Sequence, residues 1–258
     1  MTLIEAILLG IIQGLAEFLP VSSSGHLLVF HHLFGIQSDD NLTFLVVLNL
    51  GSLIPLLYIF RSDLILLVRQ PFQKLVYLLV IATLPIIAVT LLFEDFVVGL
   101  FQTTQFLAIG FLITGTMLIL SDKINANKRS IKSLGYLDAV VVGVTQALAV
   151  FPGISRSGST ISASLLRGLT REDAAKFSFL MSIPTAIGAM AFRVLRMFTG
   201  DIVVADLSVV NLLAGFVAAA ISGYLSINFM MRLIKTAKLK YFALFYVFGL
   251  AIVIFVFF

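Results

Sequence analysis

The chain has 258 residues, of which 60% are hydrophobic and only 12% are Asp, Glu, Lys or Arg, about half the charged share of a soluble domain. A mean hydropathy of +1.12 excludes an ordinary soluble domain and a disordered chain, and implies a polytopic membrane protein of the helical kind, because the apolar segments are continuous rather than alternating. Cysteine is absent, which excludes a disulfide framework and a thiolate site, and with only His26, His31 and His32 present a multi-histidine metal cage is not expected; the net charge of +4 says less than where the charges lie.

The chain opens on an apolar region, residues 2–35, with Glu5 and Glu17 inside it and no basic segment before it, so it does not read as a cleaved signal peptide. Pro20, Ser22, Ser23, Ser24, Gly25 and His26 break this region at its centre. Spans are expected at about 42–60, 75–93 and 104–120. A second broken region, 136–168, follows, interrupted by Pro152, Gly153, Ser155, Arg156, Ser157, Gly158, Ser159 and Thr160. Three further spans are expected at about 177–198, 208–229 and 241–258. The apolar stretches flanking each break are too short to cross a bilayer comfortably.

The two broken regions are related by a shift of 133 residues without a gap. Gly10, Gln13, Leu15, Ala16, Phe18, Ser22, Ser24 and Gly25 then match Gly143, Gln146, Leu148, Ala149, Phe151, Ser155, Ser157 and Gly158, eight identities in sixteen positions. Gly35 aligns with Gly168 and Phe44 with Phe177. The expectation is one membrane domain over 1–258, made of a repeat at about 1–125 and a second at about 134–258. Each repeat would be a re-entrant helix–loop–helix followed by three transmembrane helices. Three crossings are odd, so the second repeat would be inverted relative to the first.

The charges agree with this arrangement. One side receives the 61–74, 121–138, 167–176 and 230–240 loops, with fourteen of the 17 basic residues. The other receives Glu5, Asp39, Asp40, Glu94, Asp95, Asp201 and Asp206. By the positive-inside rule the first side is cytoplasmic. Both termini then lie outside, in the plasma membrane, and the two tips are able to meet within the bilayer. Non-helical backbone at that depth needs protein or a wet cavity around it, so the tips should line a polar pocket.

Gln13 and Glu17 share a helix face before the first tip. An acid inside an apolar segment is costly unless paired or wet. Ser22, Ser23, Ser24 and Gly25 offer hydroxyls and free N–H groups suited to phosphate. Helix capping accounts for one serine, but not for three together with His26, which suits an acid–base or nucleophilic role. At the second tip, Arg156 supplies a planar fork of donors suited to phosphate, its bland alternative being a salt bridge to Glu17 or a helix end. Gly153 and Gly158 permit tight backbone around an anion, Ser155 and Ser157 are expected to bind phosphate beside them, and Gln146 could add a hydrogen bond. Val150, not an acid, matches Glu17. A divalent cation could bridge Glu17 and the phosphates, with Gln13 as a weaker ligand.

With QGLAEFLPVSSSGH at 13–26 and PGISRSGST at 152–160, the chain resembles the undecaprenyl-diphosphate phosphatase family of the bacitracin-resistance type over its whole length. The resemblance implies hydrolysis of the long-chain prenyl diphosphate to its monophosphate with Mg²⁺ or Ca²⁺, recycling the lipid carrier of cell-wall synthesis. It maps the family's (E/Q)xxxE motif onto Gln13 and Glu17, its serine loop onto Ser22, Ser23 and Ser24, its histidine onto His26 and its arginine onto Arg156. Many relatives carry two acids in that motif; here Gln13 replaces the first. Ser23 is the preferred nucleophile, with His26 or Glu17 as its base; attack by His26 or by water are the other routes. PAP2-type lipid phosphatases also carry an S-G-H triplet but need a later histidine, and none follows His32.

The competing reading is a prenyl-phosphate flippase or anion transporter, since inverted repeats with broken helices are transporter architecture. Nucleic-acid binding has no support, because the basic loops follow from topology. Gly110, Gly115, Gly215 and Gly223 could form a packing seam within or between chains, which leaves a homodimer open.

Overall fold

The computed structural model describes residues 1–35, 38–93, 96, 99–100, 104–123, 128–199, 208–236 and 238–257. The acidic residues Glu94, Asp95, Asp201 and Asp206 lie outside the described residues, as do the side chains of His32, Asp39 and Asp40. Among the described residues the fold is helical, with no strand and a single isolated bridge between Arg129 and Leu169.

Helix α1 (Leu3–Phe18) starts at a reciprocal cap: the Thr2 hydroxyl accepts from the Glu5 N–H (3.3 Å) and the Glu5 carboxylate from the Thr2 N–H (2.7 Å). It stops before Pro20, and α2 (Ser23–Leu33) follows after Ser22, which has φ +63°. Helix α3 (Ser38–Ile59) bends by 76° into α4 (Arg61–Arg69). Next come α5 (Lys74–Leu92) and α6 (Thr104–Asp122). The second broken region is α7 (Tyr136–Leu148), a turn through Gly153 at φ +84°, and α8 (Arg156–Leu166). Helices α9 (Arg171–Thr199), α10 (Val209–Thr236) and α11 (Ala243–Phe257) complete the chain.

Helices α1, α2, α7 and α8 have 16, 11, 13 and 11 residues, below the roughly 20 that a crossing needs. By length and composition α5, α9 (over Arg171–Arg196) and α10 are apolar enough to span, and the bent α3–α4 pair passes the same test. The molecule has the helices of a polytopic membrane protein. All six expected spans coincide with helices, but several bounds change: α3 begins at Ser38, and α10 runs on to Thr236, into the segment expected as the 230–240 loop. The 61–74 segment, expected as a loop, contains α4, which buries none of its residues and carries Arg61, Asp63 and Arg69 around an apolar run. The span expected from 177 begins at Arg171, because Glu172 and Asp173 favour a helix N-terminus although they lie outside the apolar window.

Helix α1 packs on α10 and α3, and α7 packs on α5. Close backbone approach requires small residues there. A Cβ at Gly10 would lie 2.4 Å from the Gly215 carbonyl, and one at Gly143 would lie 2.6 Å from the Ala82 carbonyl. The seam glycines are used inside the chain: Gly110 meets Pro152, Gly115 meets Tyr246, Gly215 meets Phe44 and Gly223 meets Phe18.

The four basic loops gather at one end of the molecule through ion pairs that cross between them. Asp63 pairs with Lys176 (2.6 Å), Asp122 with Arg171 (2.7 Å), and Glu172 with Lys235 (3.0 Å). Asp122 also accepts from the Lys240 N–H (2.6 Å). At the start of α7, Asp138 takes Arg129 and Arg167, both at 2.6 Å, and the Gly135 N–H at 2.8 Å. Burial alone would raise the Asp138 carboxyl, but these donors outweigh it and hold it at about 2, below the ordinary 3.8. A lowered value contributes stability in full above about pH 4, and that contribution disappears as the pH falls towards 2. Asp138→Asn should therefore cost about 2 kcal/mol at neutral pH. Unfolding of the detergent-solubilised protein checks this, and the gap to wild type should close between pH 4 and pH 2.

Candidate active site

The first tip is held by its own backbone. Leu19 is extended ahead of Pro20, and the left-handed Ser22 turns the chain so that its hydroxyl caps α2, accepting from the Gly25 N–H (3.3 Å). Gly25 has to be a glycine: a Cβ there would lie 2.8 Å from the Phe111 ring. The turn points Ser23 back at α1, where its hydroxyl donates to Glu17 Oε2 (2.7 Å). Gln13, one turn before Glu17, donates through Nε2 to the same oxygen (3.1 Å). His26 Nδ1 lies 2.8 Å from the Ser22 carbonyl, which makes Nδ1 the donor and leaves Nε2 as the basic nitrogen.

The second tip folds against α6. A Cβ at Gly153 would lie 2.3 Å from the Leu107 carbonyl. The Ser155 N–H donates to Thr114 (3.0 Å), and the Ser155 hydroxyl caps α8, accepting from the Gly158 N–H (3.1 Å). Arg156 then stands at the first position of α8. One of its terminal nitrogens donates to Glu17 Oε1 and the other to the Ser182 carbonyl (3.4 Å).

The two tips therefore meet. Ser157 donates to the Leu19 carbonyl (3.0 Å), Tyr246 donates to the Pro20 carbonyl, and Gly158 faces Pro20. Glu17 lies at the junction and accepts from three elements: Gln13 on α1, Ser23 on α2 and Arg156 on α8.

The family described as "Bacitracin resistance protein BacA" matches residues 6–253. Among similar proteins, the undecaprenyl-diphosphatase of Carboxydothermus hydrogenoformans is 40% identical over 98% of this chain and 96% of its own length. That of Alkaliphilus metalliredigens is 40% identical over 94% of each, and undecaprenyl-diphosphatase 4 of Bacillus cereus (strain ZK / E33L) is 41% identical over 98% and 96%. The chain belongs to the BacA family.

Solvent exposure sorts the expected site residues of this BacA chain. Glu17, Ser23, Ser24, His26 and Arg156 keep partly exposed side chains. Gln13, Ser22, Gly25, Gly153, Ser155, Ser157 and Gly158 are buried. The second tip's serines and glycines are held in the fold: Ser155 is a cap, Ser157 docks the tips, and Gly153 and Gly158 permit close approach. Gln146 lies elsewhere, donating to the Ala82 carbonyl (3.3 Å) and accepting from Thr185 (3.4 Å) between α5, α7 and α9. The salt bridge to Glu17, weighed as the bland reading of Arg156, is present and sits inside the site. His31 is buried.

Two contributors escaped the sequence reading. Asn49 on α3 accepts from Gln13 Nε2 (3.1 Å), and the backbone carbonyl of Ser182 on α9 receives Arg156. A lone amide within an apolar run is a faint signal for the first; nothing in sequence marks a backbone acceptor. Gln13 turns its nitrogen to Glu17 and is a hydrogen-bond donor there. Among the described residues no group of three or more His, Asp or Glu gathers to hold a metal.

The division between capping and partly exposed serines is testable by stability alone. Ser155→Ala should cost about 1 kcal/mol through the lost cap, while Ser23→Ala should change stability by less than about 0.5 kcal/mol. Thermal unfolding in detergent separates the two.

Proposed function

We propose that this chain hydrolyses undecaprenyl diphosphate to the monophosphate and inorganic phosphate, recycling the lipid carrier for cell-wall synthesis and so conferring bacitracin resistance. The family and the undecaprenyl-diphosphatase names of its relatives support this reaction. The observation that carries it is the Ser23–Glu17–Arg156 junction: a hydroxyl on a carboxylate at 2.7 Å, with a guanidinium on the other carboxylate oxygen.

In this mechanism Arg156 exchanges its carboxylate partner for the diphosphate, whose oxygens fit the same planar fork. That exchange leaves Glu17 free to take the Ser23 proton. Ser23 Oγ attacks the terminal phosphorus as the bond from phosphorus to the bridging oxygen breaks, and undecaprenyl phosphate leaves. Arg156 stabilises charge on the transferred group. Water then attacks the phosphoserine, with His26 Nε2 available as its base, and Ser23 regains its proton as phosphate departs. Glu17 is preferred over His26 as the base for Ser23, because Glu17 already receives that hydroxyl. Ser24 and the partly exposed N-terminal turn of α2 would bind phosphate.

Of the groups on Glu17, Ser23 brings a hydroxyl while Gln13 and Arg156 bring N–H donors, so Mg²⁺ or Ca²⁺ would be held by the one carboxylate together with substrate phosphates and water. Such a cation would supply charge neutralisation on the phosphoryl oxygens.

We further propose that the fold is two inverted repeats with re-entrant hairpins. The contacts support this reading, because they repeat at the offset seen in sequence. Gly10 meets Gly215 as Gly143 meets Ala82, 133 residues apart on each side. Ser22 caps Gly25 as Ser155 caps Gly158. Gly35 and Gly168 are both left-handed, at φ +64° and +87°. With the basic end cytoplasmic, the termini and the cleft face outward.

Phosphate release from undecaprenyl diphosphate by the purified protein tests the proposal. Ser23→Ala and Arg156→Ala should each lower kcat by about 10³-fold, and His26→Ala by about 10²-fold. Quenched wild-type reactions should carry phosphate on Ser23. Release by Ser23→Ala near the wild-type rate would exclude it as nucleophile. No release by folded wild type with Mg²⁺, Ca²⁺ or chelator would move the assignment to lipid or anion transport.

A further inference from the structure

We infer that Asn49 is a positioning residue for the reaction, acting through Gln13 to fix the Glu17 carboxylate; the inference rests on the phosphatase reading above. Asn49 lies in the middle of α3, where an amide is costly unless its donors and acceptor are engaged. Its Nδ2 donates to the Leu45 carbonyl one turn earlier (2.7 Å). A backbone carbonyl only accepts, so this bond fixes the polarity of the Asn49 amide and turns Oδ1 towards Gln13.

The same logic passes along the next link. Oδ1 of Asn49 accepts from Gln13 Nε2 (3.1 Å), and that nitrogen also donates to Glu17 Oε2 (3.1 Å). Gln13 is 1% exposed, so water cannot substitute for either bond. With Asn49 in place, the alternative orientation of Gln13 would set its carbonyl oxygen against both Asn49 Oδ1 and the Glu17 carboxylate, acceptors with no proton to share. The run Leu45 O, Asn49, Gln13, Glu17 is therefore a one-way relay of amide polarity that begins on α3 and ends on the oxygen that receives Ser23.

What the relay supplies is orientation. Glu17 Oε2 is shared by Ser23 and Gln13, and Oε1 is held by Arg156. If Arg156 leaves for phosphate, Gln13 is the group that still holds the carboxylate against rotation while it accepts the Ser23 proton. Loss of Asn49 releases Gln13 to turn, and the base loses its alignment without any change in the groups that bind phosphate. Misplacement of a catalytic group costs rate rather than affinity.

The test is steady-state kinetics of full-length protein in detergent with undecaprenyl diphosphate. Asn49→Leu, close in volume, and Asn49→Ala should each lower kcat about 10-fold with KM within about twofold of wild type. Gln13→Met, which removes the amide and keeps the shape, should do the same. The double variant Asn49→Leu with Gln13→Met should be no slower than either single, because both cut one relay. Multiplying effects, a loss expressed in KM, or kcat unchanged in Asn49→Leu would overturn the inference. If the Asn49 variants fail to fold, Gln13→Met with wild-type kcat overturns it from the other end of the relay. Wild type inactive with every cation would be a failure of the phosphatase reading itself, and that control separates the two cases.

Discussion

The ion pair between Glu17 and Arg156 is the contact on which the rest of the site depends. Each charge sits on a short helix that ends within the apolar body of the protein, and each would be costly there alone. Their side chains are 14% and 20% exposed, enough for solvent or a ligand to compete for them but too little for water to satisfy them. The pair therefore does two things at once. It neutralises two charges that the fold has brought out of bulk water, and it leaves both of them partly exposed.

Everything around that contact fixes its two ends. The backbone must leave the helix at both tips, and every polar group freed by doing so has to find a partner. Ser22 and Ser155 cap the outgoing helices, Thr114 and Tyr246 take up loop groups, and Ser157 joins one tip to the other. The glycines do the complementary work: Gly25 lets Phe111 approach the first tip, and Gly153 lets the second lie against α6. At the basic end, Asp138 ties the start of α7 to Arg129 and Arg167, which anchors the hairpin carrying Arg156 from outside the apolar region.

Much of this was legible in the sequence because hydropathy and spacing are local. The six apolar runs became helices, and the breaks at Pro20–His26 and Pro152–Thr160 became the two tips. The four basic loops came together, as sorting by charge had implied. What was not legible depended on orientation or on distant neighbours. Arg61–Arg69 reads as a loop because its apolar residues are too few for a span, yet they suit a short surface helix. Ser155 and Ser157 look like phosphate ligands by type; whether a serine caps a helix or faces a ligand depends on which way its hydroxyl turns. Gln146 matches Gln13 in sequence, but its neighbours are Ala82 and Thr185, so the same side chain serves packing in one half and the site in the other. Asn49 is 36 residues from Gln13, and no pattern connects them.

That difference between matched positions bears on how a repeated fold could hold such a site at all. On the proposed duplication, a strictly symmetric pair of tips would oppose like groups: two glutamates, or two arginines, at the same depth. Either arrangement would bury like charges against each other with no partner within reach. The backbone caps can be shared, because a serine accepting a helix N–H serves equally on both sides. The charged positions cannot. Val150 in place of a second acid, and Arg156 in place of a second Ser23, remove the repulsion and supply the complement in the same two changes. The asymmetry between the halves is thus a physical condition for the tips to touch. Once they touch, a carboxylate, a hydroxyl and a guanidinium stand together.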